Sequence, residues 1–530
     1  MKIRKSGIGW EIEGRFRLRP LLLAAGVLLS GAGVAMALPG DGAPRTPAAV
    51  ELPPPSPIAK EEFAARRAAF MGSLPGDGVF VAFGSPAPPQ DYLPYEQSPQ
   101  FRYLTGIVEP SVALVLVRTG GTTQEHLFLR PRDPAREIWE GYLLGTEGGT
   151  ERTGIPARSL TNLVPMLDSL MGVHNTLYTL VQVHPDPLPD QQLTYEQQVL
   201  GRLAARHPRV ELRPVDNLLA RVRATKSPAE LDRIRRAVLI SAEAHREAMK
   251  AVRPGMNEFE IKGLVEYFFL RNGAERPAYS SIVGSGPNST TLHYRDADRF
   301  MEDGEVLLID VGASYDGYAA DVTRTIPVNG RFSQPQREVY AIVLRAQKAA
   351  EALVRPGASW RELNEAATRE IAVGLAELGL IDAAEAAYDC GASRCSQVRL
   401  WYMHGLGHGV GLAVHDPDIS TFDGFQPGSA VSIEPGIYVR GDAFDHLTDT
   451  PGNREMIARL RPVWERYRDI GVRIEDIFIF DESGIERVSA AAPREMDEIE
   501  ALMREEGMDL ATRRADMVEW FRGLRGHTGH

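Results

Sequence analysis

Four acidic residues stand in apolar surroundings that ordinarily exclude them. Asp310 lies within Val306-Leu307-Leu308-Ile309-Asp310-Val311, Asp321 within Ala320-Asp321-Val322-Thr323, Glu434 within Ala430-Val431-Ser432-Ile433-Glu434-Pro435, and Glu475 within Val472-Arg473-Ile474-Glu475-Asp476. A carboxylate buried in such a strand loses hydration worth on the order of several kcal/mol unless something compensates it. One such acid could face solvent or pair with an arginine such as Arg324 or Arg473; four together point to a shared counter-charge, for which divalent cations are the natural choice. An imidazole ligand is expected from His404-Gly405-Leu406-Gly407-His408-Gly409-Val410-Gly411, where glycines let the backbone approach closely and leave the histidines free to turn inward. The run does not have the G-x-G-x-x-G spacing of a dinucleotide loop. Metal-assisted hydrolysis is the chemistry these residues suit. A dinuclear phosphoesterase would share it, but no loop able to cradle phosphate accompanies the acids.

The elements that must position these acids occur twice. Ser227-Pro228-Ala229-Glu230 supplies an N-cap, a proline at the first helical position and a glutamate three after the cap, which predicts a helix running to about Val252. Val252-Arg253-Pro254-Gly255 then leads to a capping box at Asn257-Glu258-Phe259-Glu260, and 102 positions later Val354-Arg355-Pro356-Gly357 leads to another at Ser359-Trp360-Arg361-Glu362. Each half ends in two acid-bearing strands, predicted over 306–311 and 319–327 in the first and over 430–439 and 472–480 in the second. The economical reading is an internal duplication of a helix, helix, strand, strand unit, whose pseudo-twofold axis would gather the four acids. Upstream, short strands are predicted at 79–83, 112–118, 126–129 and 176–183.

A chain of 530 residues with ordinary apolar and charged fractions suggests two packed domains. Its formal net charge of −12, with no basic run beyond the first twenty residues, argues against a nucleic-acid partner. The first 37 residues read as a signal peptide: a basic stretch (Lys2, Arg4, Lys5, Arg15, Arg17, Arg19), an apolar run from Leu21 and the small-residue end Ala35-Met36-Ala37. Export to a periplasmic or extracellular space is the expectation, with an uncleaved membrane anchor as the alternative. Residues 38–57, rich in proline, read as a disordered leader. Cys390 and Cys395 are the only cysteines; they could form a small disulfide or remain two free thiols.

Together with His293 in TLHY, the segments IDVGASYDGYAADVTRT, HGLGHGVGLAVHD, IEPGIYV and GVRIED resemble the proline-specific metallopeptidases of the pita-bread fold, above all aminopeptidase P. Phe101-Arg102-Tyr103-Leu104-Thr105-Gly106 and EIWEGYLLG are similar to that family's N-terminal domain, so the resemblance spans roughly residues 60 to 500. The fold it implies is α+β: a creatinase-like α/β domain over 58–222, a duplicated pita-bread domain over 223–495, and a helical extension over 496–530. It implies two divalent metal ions, Mn(II) above others given the hard oxygen donors. Asp310 and Asp321 would hold one ion and Asp321, His408, Glu434 and Glu475 the other, with Asp321 and Glu475 bridging. Glu434 would shuttle protons, and His293, His404 and His415 would surround the scissile bond. Tyr279 and Arg473 match positions that orient Asp321 or Glu475.

The implied activity is removal of the N-terminal residue from peptides with proline second. The resemblance also implies a homo-oligomer, with Trp139 a candidate to reach a neighbour's site or else packed within its own domain. The alternatives are a prolidase, which takes dipeptides, and a metal-free creatinase-like protein, against which the five intact ligands count. Only 26 positions separate His408 from Glu434, and residues 400–439 contain no Lys or Arg to clamp a dipeptide carboxylate. The 41 positions from Glu434 to Glu475 favour prolidase instead, because they hold a helical insert over about 453–467 whose Arg454, Arg459 and Arg461 could reach the pocket rim. In addition, Gln100 stands where aminopeptidase P often has an Asp.

Overall fold

In the N-terminal part, six strands form one sheet in the order Ala157–Ser159, Thr122–Leu129, Ala113–Thr119, Gly78–Phe83, Thr176–Thr179, Glu211–Pro214. The three longest strands pair antiparallel and the remaining pairs are parallel. Gly78–Phe83 is buried along its whole length, as a central strand covered on both faces must be. Alternation divides its side chains: Phe80 and Ala82 pack with Phe70, Leu114 and Leu116, while Val79 and Val81 pack with Val115, Leu167 and Leu200 on the opposite face. The structure, a computed structural model, describes residues 4–6, 9–11, 55–88, 94–181 and 193–508.

The predicted helix pairs form, each with its cap. Helix Pro228–Ala251 opens on the Ser227/Glu230 capping box and Glu258–Arg271 on Asn257/Glu260. In the second half Gln334–Glu351 packs against Trp360–Leu378, which opens on Ser359/Glu362. Each pair backs a small antiparallel sheet. One is Ile282–Ser285, Val306–Val311 and Val322–Pro327; the other is Ser429–Ile433, Asp476–Asp481 and Gly484–Arg487. A separate ribbon pairs Gly436–Val439 with Ile470–Arg473. The halves meet where Glu475 N donates to Thr323 O at 3.0 Å and where Thr325 Oγ1 and Arg473 exchange two hydrogen bonds of 3.1 Å.

Three of the four predicted acid-bearing strands are broken, and the breaks fall at the acids. Tyr318–Ala319 and Val322–Pro327 are separate strands with Asp321 between them, Ser429–Ile433 stops before Glu434, and Ile470–Arg473 stops before Glu475. Pro435 has no N–H to continue a ladder. Residues 474–475 cross from one partner strand to another, since Ile470–Arg473 pairs with Gly436–Val439 and Asp476–Asp481 with Ser429–Ile433. Asp310 alone sits inside a continuous strand.

The 453–467 insert is helix Pro451–Tyr467, lodged on the core through Met456, Leu460 and Trp464. Cys390 and Cys395 are bridged across the hairpin Ala387–Asp389/Arg394–Ser396, which Asp389 and Asn453 tie to that helix. The extension after 495 begins as helix Met496–Leu502, with Ile499 and Leu502 in the core; residues 509–530 lie outside the described residues. The apolar run 21–37 of the predicted signal also lies outside them. At the end of the leader, the Ser56 carbonyl accepts from Arg233 at 2.9 Å. Among the described residues no helix is long and apolar enough to cross a membrane.

Candidate active site

A cavity of about 330 Å³ opens where the two halves meet, lined by Leu292, His293, Asp310, Asp321, His404, Gly405, Gly407, His408, His415, Glu434, Arg473 and Glu475. Nine of the ten site residues expected from sequence line it. The tenth, Tyr279, lies beneath, its hydroxyl 2.5 Å from an oxygen of Asp310 and 2.5 Å from one of Asp321. His408 Nδ1–H donates to its neighbour's carbonyl, Gly409 O, at 3.0 Å, leaving the Nε2 lone pair turned toward Asp321 at 3.5 Å and Glu434 at 3.6 Å. Those separations exceed a hydrogen bond. Ligand atoms of Asp321, His408 and Glu475 lie within 4.8 Å of one another. The His415 ring stands 4.0 Å from that of His408, centroid to centroid.

Electrostatically the cluster is undercompensated. Arg473, fully buried, ion-pairs with Asp310, and with the Tyr279 hydrogen bond it outweighs burial and holds that carboxyl below its usual range. The other three acids have no ion pair with Arg473. Burial, the Asp310 charge and Glu434 push Asp321 well up; burial with Asp321 and Asp310 does the same to Glu475; burial and the Glu475 charge push Glu434 up to about 8. Glu475 Oε2 accepts from Thr323 Oγ1 at 2.8 Å, but Oε1 is buried without a hydrogen-bond partner. An orphaned carboxylate oxygen among acids that resist ionisation, faced by an imidazole lone pair, is a donor set that fits divalent metal.

The arginines near the cavity take these partners. Arg473 does not bond Asp321 or Glu475; it pairs with Asp310 and reaches Glu475 only through Thr323, whose hydroxyl accepts from Arg473 Nε at 3.2 Å. Arg324 ion-pairs with none of the four carboxylates: its guanidinium pairs with Asp476 at 2.6 Å and meets Glu475 only at the main chain, donating to its carbonyl at 2.6 Å. The insert's arginines do not line the cavity either: Arg454 pairs with Asp449, Arg459 with Asp382 at 2.8 Å, and Arg461 lies over the rings of Phe444 and Trp464. Sequence reasoning missed Tyr438, whose hydroxyl donates to His404 Nε2 at 2.8 Å while accepting from Arg473 Nη1 at 2.8 Å. With His404 Nδ1–H donating to Gly405 O at 2.7 Å, both ring nitrogens are engaged, and burial beside Arg473 pushes this imidazole down to about 4, so it is neutral. The signal for Tyr438 was its place in IEPGIYV, close to Glu434.

Known proteins resemble this chain in sequence and fold. The model of metallopeptidase family M24 matches residues 232–482 and that of the aminopeptidase P N-terminal domain residues 63–178. A Xaa-Pro aminopeptidase of Haemophilus influenzae is 35% identical over 464 residues, 86% of this chain and 100% of that one. The human Xaa-Pro dipeptidase is 32% identical over 434 residues, 77% of this chain and 84% of the relative. Escherichia coli aminopeptidase P with the inhibitor Pro-Leu superposes with a TM-score of 0.70 at 33% identity, covering 84% of this chain and 99% of that one. Fold, acids and full-length similarity agree: the chain is a metallo-exopeptidase and belongs to the Xaa-Pro aminopeptidases of family M24.

Proposed function

We propose that this protein releases the N-terminal residue from peptides longer than two residues whose second residue is proline, using two divalent ions held by Asp310, Asp321, His408, Glu434 and Glu475. The observation that carries this reading is the cavity in which three undercompensated acids and the unpartnered Glu475 oxygen converge. Manganese(II) suits a donor set of carboxylates with one imidazole. When bound, the ions supply Lewis acidity toward water and the scissile carbonyl. Glu434, in the cavity wall, takes a proton from the attacking water and delivers it to the proline nitrogen as it leaves. His415 donates to the carbonyl oxygen as charge develops there. His293 and Leu292 form the wall against which the proline ring rests. His404, fixed by Gly405 and Tyr438, shapes the pocket.

Chain length is set by what the cavity lacks. Among the described residues Arg473 is the only Lys or Arg lining the cavity and is committed to Asp310, and the insert's arginines are engaged elsewhere, so none of these cations is free to hold a dipeptide's carboxylate. Comparing Xaa-Pro with Xaa-Pro-Yaa-Zaa tests this: kcat/KM is expected to favour the longer peptide, and preference for the dipeptide would assign the chain to the prolidases. Metal analysis is expected to find two equivalents per active chain.

Export is supported by the Cys390–Cys395 bridge, since disulfides persist in oxidising compartments. Assembly into a homo-oligomer is supported by Ile138, Trp139 and Tyr142, exposed by 82%, 82% and 87% on one short helix and the turn after it. Light scattering is expected to report more than one chain.

A further inference from the structure

Behind the loop that carries His415 lies a second cluster of charges, none of which touches the cavity. Arg223, Lys226, Asp416 and Asp418 retain side-chain exposures of 5%, 1%, 3% and 0%. Arg223 ion-pairs with Asp416, and Lys226 lies 3.6 Å from Asp416 and 3.4 Å from Asp418 while also donating to Pro417 O. Two cations and two anions balance. Asp416 Oδ1 accepts from Ala413 N at 3.1 Å and its own N–H donates to Gly409 O at 2.9 Å, which closes a turn with His415 inside it. A Cβ on Gly411 would stand 2.5 Å from Asp416 Oδ2, so the turn has one packing. Asp418 anchors the far side, accepting from Ser420 N at 2.9 Å and Ala430 N at 2.8 Å.

The cations arrive from far along the chain. Arg223 ends the helix Asp216–Arg223, and Lys226 sits just before the cap of Pro228–Ala251. Main-chain bonds lock this segment to the histidine loop: Ile419 N donates to Ala224 O and Lys226 N to Gly428 O, both at 2.9 Å. On its other side Arg223 lies 5.9 Å from the Tyr103 ring, and the Tyr103 hydroxyl donates to Val222 O at 3.1 Å, so the N-terminal part buttresses the segment. A buried, balanced ion cluster contributes little stability over well-packed apolar side chains. What such a cluster confers is a single register.

We infer that Arg223 and Lys226 are positioning residues that act through Asp416 and Asp418 to set the His415 imidazole against the scissile carbonyl. The inference rests on reading His415 as the donor to that carbonyl. Lys226→Met in the metal-loaded, full-length enzyme is expected to lower kcat about tenfold on an Xaa-Pro-Yaa-Zaa peptide, with KM and bound metal changed less than about twofold. In a His415→Ala background the same substitution is expected to cost less than about twofold, because the group it positions is gone. Equal losses in both backgrounds, or a rise in KM with kcat unchanged, would overturn the inference. Should Lys226→Met fail to fold, the charge-balanced pair Lys226→Met/Asp418→Asn runs through the same cycle with the same outcomes decisive. A His415→Ala enzyme with full kcat overturns the underlying reading instead, so the two failures are distinguishable.

Discussion

Glu475 and Asp476 are consecutive, both buried, and meet opposite surroundings. Asp476 is enclosed by Arg324 at 2.6 Å, Arg494 at 2.7 Å, Arg487 at 3.6 Å and the Ser489 hydroxyl at 2.5 Å; these outweigh burial and hold it well below the carboxylate range. Glu475, on the cavity side of the same backbone turn, has Asp321 and Asp310 for neighbours and is driven up. One carboxylate is satisfied by protein cations; the other keeps a buried oxygen with no hydrogen-bond partner among the described residues. The contrast shows that burial alone does not mark a functional acid; what marks it is burial without a counter-charge.

The comparison can be broken in several ways. Asp321→Ala is expected to reduce turnover to background while the melting temperature moves by no more than about 4 °C, checked by peptide assay and thermal unfolding; wild-type activity would remove Asp321 from the cluster. Asp476→Asn has the complementary outcome, an expected loss of about 3–5 kcal/mol in urea unfolding from two arginines left buried without their anion, with metal content retained in the protein that folds. In metal-stripped protein Glu475→Gln is expected to raise stability by about 1–2 kcal/mol, because it removes a carboxyl that the folded site must hold protonated while the unfolded chain ionises it; added metal should stabilise the wild type and not the variant. The smallest effect concerns His245, buried beneath the sheet with Nε2 on Val322 O at 2.9 Å and pushed down to about 3 by burial and the Arg324 charge. Its folded pKa lies below the unfolded value, so its contribution is present above about pH 6.5 and is lost as pH falls toward 3; between pH 7.5 and 6 the loss is about 1 kcal/mol or less. His245→Gln should flatten that limb in calorimetry.

The clustered acids were legible because buried acids among Val, Leu and Ile are anomalous within a few residues of sequence, and the helix pairs because capping boxes are local signals. Asp476 and Arg324 carried no such signal. Their pairing spans 152 positions and depends on the two halves docking. The same holds for Tyr438 on His404 and for Arg223 with Asp416, where only tertiary placement distinguishes a structural charge from a surface one. The strand breaks at Asp321 and Glu475 were also illegible, since local apolar pattern gives continuous strands and the partner exchange that interrupts them is set elsewhere in the sheets.

Those breaks bear on how the protein assembles. Asp321, Glu434 and Glu475 stand at breaks or ends of their strands and Asp310 inside one, and the cavity draws its acids from both halves, so neither half holds the whole cluster alone. Divalent metal held by such a cluster would tie its affinity to docking of the halves, so chelation is expected to loosen the seam between them.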